Sequence, residues 1–272
     1  ACTRVAPAAA SASTGSRFLL FAIDANDAQK ETSEQDNLAS LAIAIGQPDL
    51  RVNEASAPAP AALHQTVSVS WTVQNQSATF SAAADWSDRI YLSSDTTLDG
   101  GDTLLAGEAI SAQTPLAADA SYSVTRNLTV PGGAALGGQY LLVVADGSAQ
   151  QAETDETNNV HALAITIGAP NMVFDGVPAT PTAAAPAEVV PVSWTVRNAG
   201  AFAALADWTD RVYLSDNGVL DAGDTLLDSV SISVQTPLAP SATYTVTRNV
   251  TIPNGAGNGS KFLLLVLALL LA

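Results

Sequence analysis

The chain has 272 residues, of which 47% are hydrophobic and only 13% are charged. Its 26 acidic and 10 basic side chains give a formal net charge of −16, and a surface this acidic repels nucleic-acid phosphates. DNA and RNA are therefore excluded as expected partners, whereas cations and basic surfaces would be attracted. The length corresponds to about two domains of ~100–150 residues each. The single cysteine, Cys2, excludes an intrachain disulfide.

The first unit, residues 1–46, is predicted to be the tail of an immunoglobulin-like domain. Asp24 precedes Asp146 by 122 residues, and the acidic residues and the Gly-x-Pro segment that follow Asp24 recur at the same spacing. By this spacing, residues 15–46 are equivalent to the last strands of the middle unit, residues 47–168.

The middle unit, residues 47–168, is predicted to be a complete domain made of short strands. Residues 66–74 alternate strictly, which places Val67, Val69, Trp71 and Val73 on one face. No segment has convincing helical periodicity. The predicted strands cover residues 50–53, 66–74, 89–92, 103–106, 122–130, 140–145 and 160–167. Seven short strands with regularly spaced turns predict an all-β fold of tandem immunoglobulin-like β-sandwiches.

The third unit, residues 169–272, repeats the middle unit but stops before the counterpart of its last strand. The segment from Ala84 to Ser93 returns from Ala206 to Ser215, again at a spacing of 122 residues. The unit ends in the apolar run 262–272, which is shorter than the ~20 residues that a membrane-spanning helix needs. A buried strand, and no membrane span, is therefore predicted there. The alternative is a truncated membrane anchor or sorting tail.

Four tryptophans occupy two kinds of position. Trp71 and Trp194 lie in the middle of alternating strands on the apolar face, so they are predicted core residues. Trp86 and Trp208 stand where a loop meets a strand. They either anchor that loop or lie exposed as stacking platforms for carbohydrate, and their burial distinguishes the two alternatives.

The motifs of the middle unit resemble those of the bacterial cell-adhesion-related domain, CARDB. They are Pro48-Asp49-Leu50, the second strand from Trp71 to Asn75, the segment from Trp86 to Ser93, and the acidic ending from Asp146 to Asn159. The resemblance extends over residues 15–267 and departs from the family pattern at 268–272. It implies an immunoglobulin-like fold in secreted or surface-attached bacterial proteins, where such domains act as adhesive modules, spacers or carriers of other domains.

An Asp-rich loop after the third strand is a candidate calcium site, and its copy lies in the third unit. The predicted ligands are Asp95, Asp99, Asp102, Asn217, Asp221 and Asp224. Several oxygen ligands on a short glycine-containing loop suit Ca²⁺, which would stiffen the loop without doing chemistry. The alternative is a solvated turn in which the side chains cap backbone amides.

A second acidic cluster is predicted to form the hairpin between the last two strands of the middle unit. It comprises Asp146, Glu153, Asp155, Glu156, Asn158 and Asn159. The expected arrangement is a structural hairpin with exposed carboxylates and a turn at the paired asparagines, which tolerate positive φ.

No catalytic motif is found, so the chain is predicted not to be an enzyme. The two histidines, His64 and His161, are far apart in the unit and are not duplicated. The first functional hypothesis is an extracellular or cell-surface structural and adhesive protein that forms a stalk or fibre. Copies of the chain would then contact each other head-to-tail by strand exchange, because one unit lacks a last strand and another supplies one. The alternative to strand exchange is that the 272 residues are a window of a longer array. The alternative is a non-catalytic accessory module that binds surface glycans or proteins within a larger secreted enzyme.

Overall fold

The computed structural model describes residues 14–33 and 35–269. Cys2, Glu34 and the last three residues of the apolar run lie outside this part of the chain. The described residues form sixteen β-strands and one short 3-10 helix, Ser233–Gln235. The predicted all-β fold class is thereby confirmed.

The first unit is an antiparallel hairpin of β1 (Gly15–Ala22) and β2 (Leu38–Ile45). The turn that follows β1 contains Asp24 in the left-handed region at φ 39°. The hairpin exposes many apolar side chains, of which Phe18 is 66% exposed. No other strand of the described residues pairs with it.

The middle unit is a sandwich of two sheets. One sheet has the order β3-β5-β8, and the other has the order β4-β10-β9-β6-β7. The strands are β3 (Leu50–Ser56), β4 (Ala61–Ala62), β5 (Thr66–Asn75), β6 (Ser87–Ser93), β7 (Thr103–Ala109), β8 (Ser121–Thr129), β9 (Gly137–Val144) and β10 (Val160–Gly168). All seven predicted strands are present with shifted ends. The eighth, β4, has only two residues and pairs in parallel with β10, so it leaves no alternation in the sequence.

The core of the middle unit lies between these two sheets. The alternating face of β5 supplies Val67, Val69, Trp71 and Val73, as predicted, and all four are buried. Apolar residues from β6, β9 and β10 pack into the same cluster from the opposite sheet. Burying each large apolar side chain contributes about 1.5–3 kcal/mol, so the paired sheets are stabilised mainly through this layer.

The third unit has two three-stranded sheets, β11-β12-β15 and β14-β13-β16. The strands are β11 (Met172–Phe174), β12 (Val189–Asn198), β13 (Trp208–Ser215), β14 (Thr225–Ser231), β15 (Thr243–Thr251) and β16 (Phe262–Leu269). The predicted strand in the apolar run is β16, but it is not fully buried, because Phe262 is 48% exposed. β13 pairs with one edge of β16, and no described strand pairs with the other edge.

Within the part of the chain that the structure describes, no helix is long and apolar enough to cross a lipid bilayer.

Candidate functional site

A buried aspartate organises the core of the middle unit. Trp71 Nε1 donates a hydrogen bond of 2.8 Å to Asp88 Oδ2, and the Tyr122 hydroxyl donates one of 2.7 Å to the same oxygen. Trp86 Nε1 donates in turn to the Tyr122 hydroxyl at 3.1 Å. The Asp146 backbone amide donates to the other carboxylate oxygen, Oδ1, at 3.3 Å. One carboxylate therefore joins both tryptophans of the unit to the end of β9.

The third unit contains the same arrangement around Asp210. Trp194 Nε1 and the Tyr244 hydroxyl donate to Asp210 Oδ2 at 2.8 and 2.7 Å. Trp208 Nε1 donates to the Tyr244 hydroxyl at 3.0 Å. Asp210 Oδ1 has no hydrogen-bond partner among the described residues. Ala268, which follows Asp146 by 122 residues, lies inside β16 and pairs with Thr209.

Burial dominates the electrostatics of these aspartates. Desolvation raises the pKa of Asp88 above its ordinary value, and hydrogen bonds from Trp71 and Tyr122 oppose that rise. Asp210 behaves in the same way: burial raises its pKa and the donors of Trp194 and Tyr244 oppose it. Asp88 is only 1% exposed, so no substrate reaches it. The carboxylate therefore organises the core and has no access to external chemistry.

The hairpin between β9 and β10 holds the start of its own unit. Glu153 Oε2 accepts a hydrogen bond from the Leu50 amide, and Glu153 Oε1 accepts one of 3.1 Å from Asn159 Nδ2. The amide of Thr154 donates to the Pro48 carbonyl at 3.0 Å. The acidic segment near the end of the unit thus holds residues 48–50 in place through hydrogen bonds.

Two predictions for this hairpin are wrong. Asp146 and Glu153 are buried, not exposed, because their carboxylates accept backbone hydrogen bonds. Burial raises the pKa of Glu153 to about 8. The left-handed residues are Asp146 and Ala149, not the paired asparagines. Asp146 caps the amides of Gln150 and Gln151 at 2.9 and 2.7 Å, so the turn forms directly after β9.

The six predicted calcium ligands lie on two exposed loops with nearly identical hydrogen bonds. Asp99 Oδ1 accepts from the Gly101 amide at 2.7 Å, and Asp102 Oδ2 accepts from the Asp99 amide at 2.8 Å. In the copy, Asp221 and Asp224 accept bonds of 2.7 and 2.8 Å in the same way.

The first residue of each loop also caps a backbone amide. Asp95 Oδ1 accepts from Thr97 and Asn217 Oδ1 from Val219, both at 2.7 Å. The side chains therefore stabilise the turn. No group of three or more acidic, histidine or cysteine side chains among the described residues is arranged to hold a metal ion. Calcium binding at these loops stays a prediction.

The buried aspartate stands at the third position of the segment Trp86-Ser87-Asp88, within the motif noted in the sequence. Residues 47–163 of the chain match the family model of the CARDB domain. The resemblance of the middle unit to the CARDB domain is thereby confirmed. The family is adhesion-related and non-catalytic.

Several solved structures are similar to the chain. The CARDB domain of a Pyrococcus furiosus protein, crystallised in complex with di-metal ions, is 19% identical with a TM-score of 0.34, covering 45% of this chain and 90% of that one. A β-glucosidase from Listeria innocua in complex with isofagomine is 16% identical with a TM-score of 0.31. That match covers 46% of this chain but only 17% of the β-glucosidase. A search of curated proteins finds no match.

All four tryptophans are core residues of the CARDB domain and of its copy. Trp71 and Trp194 are buried as predicted. Trp86 and Trp208 are each 2% exposed, which decides between the two alternatives in favour of anchoring. Each ring also packs against the tyrosine that accepts its hydrogen bond, with centroids 6.0 Å apart in the CARDB domain and 5.7 Å apart in the copy.

The sequence reasoning missed the buried aspartates as the central polar residues of the core. The available signal was that Asp88 and Asp210 recur at a spacing of 122 residues, each between two apolar residues of the same strand face, namely Trp86 and Ile90 in one copy and Trp208 and Val212 in the other. A charged residue that is retained inside an alternating apolar strand needs buried partners. The tryptophans and tyrosines recurring at matching spacings are the partners that the structure brings to it.

Proposed function

We propose that the chain is a segment of an extracellular, non-catalytic array that acts as an adhesive or spacer stalk on a cell surface. The burial of Trp86 and Trp208 carries this proposal, because it removes the aromatic platforms that the carbohydrate-binding alternative needs. The match of residues 47–163 to the adhesion-related family supports it. The acidic surface favours basic or cation-bridged surfaces as partners.

The proposal is tested by imaging and by a binding screen on the same purified chain. Electron microscopy should show elongated particles in which the sandwiches follow one another along a line. A glycan array should give no saturable binding above that of an unrelated acidic β-sandwich. Compact particles, or saturable binding to a defined glycan, would contradict the stalk and favour the accessory module.

Head-to-tail strand complementation is the finer form of the proposal. A groove of about 590 Å³ lies beside β16, and it is lined by Val190, Leu214, Ile252 and Leu263 among others. In the middle unit, β10 lies beside β9 and inserts Ile165 and Ile167 into the core. The matching strand of another copy is β2, which presents Ile43 and Ile45 at the same spacing. We expect β2 of one copy to pair with β16 of the next.

A peptide experiment tests this pairing. A synthetic peptide of residues 38–45, the sequence of β2, added to the intact chain, should slow hydrogen exchange of the β16 amides. The matched control peptide carries Asp in place of Ile43 and Ile45 and should give no protection. Sedimentation of the chain alone should show association that rises with concentration. Equal effects of both peptides, or a strictly monomeric chain, would contradict strand complementation.

A further inference from the structure

We propose that the loop containing Phe80, and its copy containing Phe202, is a docking surface for the preceding unit, and that it holds consecutive units in a fixed relative orientation. The partner of this surface is the end of the last strand of another unit of the same type. The rigidity of the junctions between consecutive units is a property separate from the adhesive role, because a stalk can be built with either rigid or flexible junctions.

The first observation is a glycine beneath each aromatic ring. Gly46 directly follows β2, and a Cβ atom built on it would lie 2.0 Å from Phe80 Cε2. Gly168 ends β10, and a Cβ atom there would lie 1.9 Å from Phe202 Cε2. Each phenylalanine ring can therefore lie this close to the glycine backbone only because glycine has no side chain. Both phenylalanines are half-buried.

The second observation is that each linker is held by hydrogen bonds at the third residue after its glycine. Asp49 donates its amide to Asn75 Oδ1 at 3.2 Å and accepts at its carbonyl from the Gln76 amide at 2.6 Å. At the other junction, Asn171 donates to Asn198 Oδ1 at 3.1 Å and accepts from the Ala199 amide at 2.7 Å.

Only two residues separate the glycine from the tethered residue in each case. They are Gln47-Pro48 at the first junction and Ala169-Pro170 at the second. Proline fixes one of the few remaining backbone angles. Flexible linkers between domains are longer and lack such hydrogen bonds. The chain therefore has little freedom to swing between the glycine and the next unit.

The third observation is a buried asparagine that couples the linker to the ring. Asn75 Nδ2 donates to the Phe80 carbonyl at 2.8 Å, while its Oδ1 accepts from the linker. Asn198 donates to the Phe202 carbonyl at the same distance and also accepts from its own linker. Both asparagines are fully buried. One side chain thus fixes the linker and the aromatic loop together.

The same set of contacts therefore occurs at both junctions. The glycine, the tethered residue and the phenylalanine each recur at a spacing of 122 residues, and the asparagine at 123. Identical contacts at successive junctions give each unit the same rotation relative to the one before it. An array built this way would have a regular twist, as solenoids do, instead of behaving as beads on a flexible string.

Residual dipolar couplings measured on the intact chain test the proposal at the junction of the middle and third units. Rigidly joined units share one alignment tensor, so we expect a single tensor to fit the amides of both sandwiches. Phe202→Ala, which removes the ring, and Gly168→Ala, which displaces it, should each produce two tensors of different magnitude. Chemical shifts inside each sandwich should stay unchanged, which separates loss of docking from unfolding.

Gly100→Ala is the matched control, because a Cβ atom at Gly100 meets no atom within 4 Å. This variant should keep the single tensor. If Phe202→Ala unfolds the third unit, Phe202→Leu provides the same test with an apolar side chain in the loop. Two different tensors in the unaltered chain, or a single tensor in both Phe202→Leu and Gly168→Ala, would overturn the proposal.

Discussion

The middle and third units each contain a buried aspartate, but the two carboxylates differ in how many of their oxygens accept hydrogen bonds. Asp88 uses both carboxylate oxygens, because the chain turns after β9 and brings the Asp146 amide to Oδ1. Asp210 uses only Oδ2 among the described residues. The two tryptophan–tyrosine pairs are otherwise superposable in their contacts. The acidic hairpin therefore completes the hydrogen-bond network of the core as well as closing the sandwich.

Replacing the buried aspartates should have the largest effect. Asp88→Ala leaves the buried donors of Trp71 and Tyr122 without an acceptor, at about 1–3 kcal/mol each, so the free energy of unfolding of the middle unit should fall by about 2–6 kcal/mol. Asp210→Ala should cost the third unit less, because Oδ1 of Asp210 contributes no hydrogen bond. Hydrogen exchange of β5 and β12 amides in the intact chain measures the two losses separately.

Asparagine substitutions test the contribution of the second carboxylate oxygen, Oδ1, in each unit. Asp88→Asn keeps an acceptor for Trp71 and Tyr122 but turns an amide group toward the Asp146 N–H, so two donors face each other. Asp210→Asn meets no such donor among the described residues. We therefore expect Asp88→Asn to be more destabilising than Asp210→Asn. Equal losses would show that the Asp146 hydrogen bond contributes nothing to stability.

The pH dependence should differ between the units through Glu153. Its pKa of about 8 lies above the ordinary value of 4.5, so between these values the folded state holds a proton that the unfolded state releases. The stabilisation is complete below pH 4.5 and is lost as pH rises toward 8. Glu153→Gln should flatten that decline for the middle unit and leave the third unit unchanged.

Urea denaturation at pH 5 and pH 8, followed by tryptophan fluorescence, measures the effect. Burial raises the pKa of Asp88 and Asp210 as well, so both units share a further decline with rising pH that Glu153→Gln does not remove. If the free energy of unfolding of Glu153→Gln differs between pH 5 and pH 8 as much as that of the unaltered chain, the assignment of this pH dependence to Glu153 is contradicted.

Equivalent substitutions in the loops that contain Asp99 and Asp221 should have equal effects on stability, because the hydrogen bonds of the two loops match. Asp99→Ala and Asp221→Ala each remove the acceptor for a glycine amide and should destabilise their loop by about 0.5–1.5 kcal/mol. The predicted calcium binding is measured by calorimetric titration of the intact chain. Heat of binding that is lost in the double variant would support the site, and no heat at millimolar calcium would contradict it.

The surface ion pairs should have the smallest effect. Arg126 contacts Glu108 and Arg248 contacts Asp228, and both pairs are partly exposed. The hydrogen bond from Arg248 lowers the pKa of Asp228. Replacing either arginine by alanine should lower the melting temperature only slightly, because solvent screens exposed ion pairs, and added salt should remove the difference. A larger loss in thermal denaturation would show that the arginine stem contributes packing.

Much of the fold was predictable because period-2 alternation directly reports which side of a strand is buried. The face of β5, from Val67 to Val73, is the clearest case. β4 was not predictable, since two alanines have no pattern and their pairing depends on where β10 ends. The exposure of Trp86 and Trp208 was also undecided in the sequence, because a tryptophan beside a loop occurs in both buried and exposed settings.

The amino-acid sequence alone is sufficient to identify the all-β class, the spacing of 122 residues between equivalent positions, and the apolar residues that face the core. These properties depend on local alternation and on comparison of the chain with itself. Three other features depend on tertiary contacts: the burial of Asp88 and Glu153, the asparagine that joins each linker to an aromatic loop, and the glycine that lies under each ring. Those contacts join segments that are distant in the chain, and local patterns contain no information about which distant groups satisfy a buried polar atom.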